Sequence, residues 1–221
     1  MSDSAMLPPT PEWGDASPAS LFSIGTGTTA VWVALTGRAG PDDMPVLVVW
    51  LAAVAIVQIV TGLIALRRGD SVGGSLNLVF GTFFWAAPAF TTALLAFPVG
   101  GPPPESLTLV MNGWVFGFLG VVLAVHVPVM AAQSSLLFWA MLIFTVAVGL
   151  LAALNLQAPA LQMQGPWPTV SAIAGWMIGI AGLLMTYMGA AVVLMTALGR
   201  SPLPVPGPSG FMRNYVQSST S

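Results

Sequence analysis

Residues 169–198 read TVSAIAGWMIGIAGLLMTYMGAAVVLMTAL, from Thr169 to Leu198, without one Asp, Glu, Lys, Arg or His. At about 1.5 Å per residue, a helix of this length exceeds the ~30 Å hydrocarbon core of a bilayer, which needs ~20 apolar residues. A helix also satisfies its own backbone N–H and C=O groups, as a single segment in lipid must. The stretch therefore predicts a transmembrane helix. Working outward, the same reading applies to 20–37, 46–66, 75–97, 107–131 and 134–155.

These six runs take up most of the chain and leave no room for a soluble catalytic domain. Composition agrees: 56% of the residues are hydrophobic, only 5% are charged, and mean hydropathy is +0.89. A soluble domain carries about 25% charged residues. The expected fold is all-α, a polytopic membrane protein with six transmembrane helices. Residues 1–17 are expected as a mobile N-terminal arm, 18–200 as the membrane domain, and 201–221 as a disordered Pro/Gly/Ser-rich tail. The N-terminus has Asp3, Glu12 and Asp15 but no basic residue before the first run, which reads as a retained span rather than a secretory signal.

Arginine sets the orientation, because the chain has no lysine. Arg67, Arg68, Arg200 and Arg213 fall on the side of the termini and Arg38 on the other. The positive-inside rule predicts both termini in the cytoplasm, and the plasma membrane is the expected location. Gly69 suits a helix C-cap, and Asp70 or Ser71 an N-cap for the third span. With no cysteine, disulfides and thiolate chemistry are excluded. No basic patch is present to hold nucleic acid.

His126, near the end of span four, is the only ionisable residue inside a run. A carrier driven by a buried carboxylate relay needs more than that, and so does an intramembrane hydrolase. An enzyme is not expected, nor a cofactor or metal. Uncharged polar residues are more numerous: Thr28 and Thr29 in span one, Gln58 in span two, Asn77 in span three. In lipid each must find a partner or face water, so interhelical hydrogen bonding and a pathway lining both stand as readings. Gly175, Gly179, Gly182 and Gly189 form a small-residue stripe on span six, as Gly113 and Gly117 do on span four. Such stripes mark close helix packing, within a chain or between subunits.

Several segments, in order, resemble the acetate uptake transporter family, the YaaH-like succinate–acetate permeases. Pro18, Leu21 and Gly25 match the opening motif of that family. Gln58 with Gly62-Leu63, the basic pair Arg67-Arg68 and the turn Gly69-Asp70-Ser71 match the second region. Phe80-Gly81-Thr82-Phe83-Phe84 resembles the Tyr-Gly-Ser-Phe-Trp segment. Ala174-Gly175-Trp176, Tyr187 and the closing Gly199-Arg200-Ser201-Pro202-Leu203-Pro204 resemble the last.

The resemblance implies six-span subunits in a homo-hexamer, each with an hourglass pathway for a small acetate-like substrate. It implies an apolar constriction that falls here on Ile24, Phe80 and Phe144, where the family has Phe, Tyr and Leu. Asp15 stands where the family opens with Asn, and Phe80 lacks the tyrosine hydroxyl. The expected function is a permease or channel for small monocarboxylates. A channel for a neutral amide or ammonia, or a non-transporting scaffold or sensor of the same fold, are the alternatives.

Overall fold

The computed structural model describes residues 13–97, 109–157 and 167–208. Six helices among them are long and apolar enough to cross a membrane: α1 (Ser17–Leu35), α2 (Met44–Arg67), α3 (Ser71–Ala96), α4 (Val110–Gln133), α5 (Ser135–Gln157) and α6 (Pro168–Leu198). A single 3₁₀ turn, Pro41–Asp43, leads into α2. The arginine turn is built as its residues suggest. Gly69 takes φ +84°, and the Asp70 carboxylate accepts a hydrogen bond from the Gly73 N–H to cap α3.

The helices pack in a ring. α2 lies between α1 and α3, α1 lies against α6, α6 against α5, and α5 against α4. The glycine stripe of α6 faces α1 within the same chain. A Cβ on Gly175 would meet Leu35 and Thr36, one on Gly179 would meet Trp32, and one on Gly189 would meet Leu21 and Phe22. On α4, Gly113 faces Leu156 of α5. Lipid tails are as apolar as leucine, so helix association rests on close van der Waals contact, which glycine permits. Of the two uses a small-residue stripe can have, these serve packing inside the subunit.

The ring is closed by aromatic side chains. Phe84 of α3 contacts Phe116 of α4 at 6.0 Å and Phe144 of α5 at 4.8 Å between centroids. This cluster depends on a π-helical segment, Phe80–Ala86, in the middle of α3, where the Ala87 N–H bonds to the Thr82 carbonyl. Pro88 follows at once. Proline supplies no N–H and crowds the carbonyl four residues back, here that of Phe84, so the wider i→i+5 turn relieves the conflict. It also directs Phe80, Phe84 and Trp85 inward, while Phe83 is exposed. The apolar pattern of span three gives no hint of this segment; Pro88 is the signal for it.

The first residues of the tail are tied to the bundle: the Tyr187 hydroxyl donates to the Pro204 carbonyl at 2.8 Å, and the Ser134 hydroxyl donates to the Pro206 carbonyl at 2.8 Å. The Ser135 N–H donates to the Gly207 carbonyl at 2.9 Å. Prolines cannot donate, but their carbonyls accept: Pro204 serves Tyr187 of α6, and Pro206, with Gly207, serves the α4–α5 junction. At the other terminus, Trp13 lies under the Arg67 guanidinium and Asp15 pairs with Arg68, so the end of the expected mobile arm is anchored. Residues 1–12 and 209–221 of the expected arm and tail lie outside the described residues.

Candidate functional site

A cavity of about 380 Å³ opens at the end of the bundle that carries both described termini. Asp15, Arg68 and Asp70 stand at its mouth. Ser20 and Asn77 line its wall, and Ile24, Phe80, Met141 and Met185 line its deepest part. All six helices converge on it, through residues such as Ile24, Thr61, Asn77, Met130, Met141 and Met185.

The wall is a hydrogen-bond network between the first three helices. The Ser20 hydroxyl donates to Asn77 Oδ1 at 2.8 Å. Gln58 Nε2 donates to the Ser20 carbonyl at 2.8 Å, to Ser20 Oγ at 3.2 Å and to Ser23 Oγ at 2.5 Å. The Ser20 carbonyl also accepts from the Ser23 hydroxyl. Gln58 is fully buried, and its Oε1 has no hydrogen-bond partner among the described residues. A buried polar group is costly unless paired, so the network fixes α1 against α2 and α3 at this depth.

Below the wall the lining turns apolar. Ile24 packs with Ala140 and Met185, and the Phe80 ring lies 5.2 Å from that of Phe144, tilted by 36°. Ile24, Phe80 and Phe144 are all buried, so none faces lipid. Phe144 stands behind Phe80 rather than on the cavity surface, backed in turn by Phe84.

The four polar residues singled out from sequence separate. Asn77 lines the cavity. Gln58 lies behind Ser20 as the hub of the network. Thr28 is fully buried, bonds the Ile24 and Gly25 carbonyls of its own helix, and is packed against Gly182 of α6. Thr29 bonds the Gly25 carbonyl and faces a second groove of about 560 Å³ between α1 and α2, toward Arg38 and Trp50. Thr28 and Thr29 are thus apart from the six-helix cavity. Ser20, Asp15 and Arg68 belong to it and were not singled out. Arg68 enters the sequence reading through orientation and the basic pair of the resemblance, and Asp15 through the opening motif, neither as a pathway residue; a serine in a glycine-rich helix carries little signal without its neighbour.

At the mouth, Arg68 Nη1 lies 3.0 Å from Asp15 Oδ1. The same carboxylate oxygen accepts from the Ser17 N–H at 3.0 Å and from the Ser17 hydroxyl at 2.7 Å. Burial pushes the Asp15 carboxyl up, but the Ser17 bonds and then Arg68 outweigh it and hold it below its ordinary value. His126 lies elsewhere, half-buried on α4, with Nδ1 2.8 Å from the Val122 carbonyl of the preceding turn.

No family model matches the chain, and no curated protein matches it. Its fold is similar to that of the bacterial acetate channel SatP, with a TM-score of 0.74 over 87% of this chain and 98% of that one, at 21% identity. The likeness is one of fold.

Proposed function

We propose that this protein is a membrane channel or permease for small monocarboxylates such as acetate. One observation carries the reading: a cavity walled by hydroxyl and amide groups ends on Ile24 and Phe80, with the Phe144 ring directly behind. The SatP-like fold supports it. A charge at the bilayer centre costs about 2.5–3.5 kcal/mol even on insertion scales, so a carboxylate needs water and donors for as much of the route as possible. The Ser20 and Asn77 wall supplies such groups. An apolar waist then admits a methyl-sized end and gates by dewetting. Without a tyrosine hydroxyl at position 80, the waist favours the protonated or weakly charged form and disfavours a dicarboxylate.

Homo-oligomeric assembly and a plasma-membrane location fit this reading. Purified protein in liposomes, assayed with labelled acetate, succinate and acetamide at two pH values, tests it. Acetate flux well above succinate flux is expected, rising as pH falls. Equal passage of both acids counts against the waist, flux of acetamide alone favours a neutral-solute channel, and no flux of any solute favours a scaffold.

A further inference from the structure

The cavity mouth holds a carboxylate of the protein's own. Asp15 accepts from Arg68 Nη1 and from two donors of Ser17, at the rim of a cavity on which all six helices converge. Two other charged groups nearby, among the described residues, are committed. Asp70 caps α3 through the Gly73 N–H, and Arg67 lies over the Trp13 ring with its centre 5.4 Å from the ring centroid. Arg68 lines the cavity and keeps about 40% side-chain exposure, so solute arriving from water meets it.

We infer that Arg68 is a capture site for the substrate carboxylate, and that Asp15 is a tethered competitor for it. A guanidinium presents five N–H donors in a fork matched to a carboxylate, and the Asp15 contact shows that a carboxylate can be seated there with Ser17 as a further donor. A short tether holds Asp15 at a local concentration in the millimolar range, so free acetate must displace it. Weak capture of this kind suits a channel, where binding must concentrate the solute yet release it. Since exposed pairs of this type are weak, removing the competitor is expected to lower the half-saturating acetate concentration roughly two- to fivefold.

The inference rests on the proposed function, and Asp15→Asn tests it. Asparagine retains an acceptor for the Ser17 donors and discards the charge, so the start of α1 is preserved. In proteoliposomes D15N is expected to lower the half-saturating acetate concentration, Arg68→Gln to raise it, and the double variant to behave as R68Q. Acetamide flux should move in none of them. A second readout does not require flux: phenylglyoxal modification of Arg68 followed by mass spectrometry, with Arg67 as internal reference. D15N should speed modification of Arg68 and acetate should slow it. Acetate protection without any flux would uphold capture and sink the transport reading. Normal acetate flux, with Arg68 unprotected and D15N unchanged, would overturn the inference and leave transport standing.

Discussion

Phe80 and Phe144, sixty-four positions apart in sequence, bring their rings to 5.2 Å at the base of the polar cavity. Phe80 leaves a π-turn and Phe144 a regular helix, so the contact holds the two geometries in register. Phe80→Ala removes a buried ring from this stack. A cavity of that origin costs about 3–5 kcal/mol in soluble cores, and a comparable loss of thermal stability is expected in detergent. On the proposed function, the variant should pass succinate better than the parent does in liposomes. Phe80→Tyr should keep the stability and raise passage of the acetate anion at neutral pH. Flux with both acids, measured beside unfolding, separates widening from collapse.

Gln58 couples α1 to α2 through three donated contacts, two of them to Ser20. Gln58→Leu keeps volume and removes both donors, leaving the Ser20 and Ser23 oxygens short of partners. A loss of about 1–3 kcal/mol is expected from groups left unsatisfied. Ser23→Ala removes a single acceptor from Gln58 and should cost less. Unfolding midpoints of the parent and both variants in one detergent give the comparison; midpoints of both variants equal to the parent's would show that the network contributes little.

Gly182 lies so close to α1 that a Cβ there would overlap the Thr28 hydroxyl and come within 2.8 Å of the Thr28 Cβ. Gly182→Ala is therefore expected to destabilise by about 1–3 kcal/mol, as overpacking does. Adding Thr28→Ala should recover only part, because the Cβ remains. Gly149 is the control, since a Cβ there meets nothing within 4 Å. Gly149→Ala should be neutral or stabilising by up to ~1 kcal/mol through helix propensity.

That contrast shows what was legible beforehand. Six spans and their order follow from the absence of charge, because lipid tolerates little else. Which side of each helix faces inward does not follow. On α2, Leu51, Val54 and Ala55 are buried while Val49, Ile56 and Val60 are exposed. Core and lipid take the same residue types, so the pattern carries no direction there. Direction comes from residues that lipid disfavours or that change backbone distance, such as Gln58, Thr61 and the α6 glycines. Placement of Ile24, Phe80 and Phe144 came through family resemblance rather than periodicity. Thr28 and Thr29 each bond a carbonyl of their own helix, so a threonine hydroxyl in a span needs no pathway to be satisfied; Thr29 faces the α1–α2 groove and Thr28 packs against Gly182.

The Asp15–Arg68 pair should have a pH signature. The Ser17 donors and Arg68 hold the Asp15 carboxyl below its ordinary value in the fold, against the opposing effect of burial. A carboxylate with a depressed folded value adds stability that is complete above the unfolded value and is lost as pH falls through the folded one. Among the described residues nearby, the Asp70 carboxylate is held on the α3 cap and Arg67 lies over Trp13. Thermal stability in detergent should therefore be level from neutral pH down to about 5 and fall toward about pH 3, with a shallower fall in Asp15→Asn. The pair is exposed, so high salt should shrink the difference.

The strap formed by the residues after α6 should contribute to stability in a graded way. Tyr187→Phe deletes one bond, to the Pro204 carbonyl, and should cost about 0.5–1.5 kcal/mol at most, less because the site is open to water. Ser134→Ala deletes the bond to the Pro206 carbonyl and also removes the acceptor for the Leu136 N–H at the start of α5. Loss of a helix cap costs about 1 kcal/mol by itself, so this variant should be the weaker of the two. Truncation after Ser201 removes all three strap bonds, the one from the Ser135 N–H to the Gly207 carbonyl included, and leaves the Ser134 cap in place, so it should cost more than Tyr187→Phe. If truncation costs no more than Tyr187→Phe, the bonds to the Pro206 and Gly207 carbonyls contribute little at the α4–α5 junction.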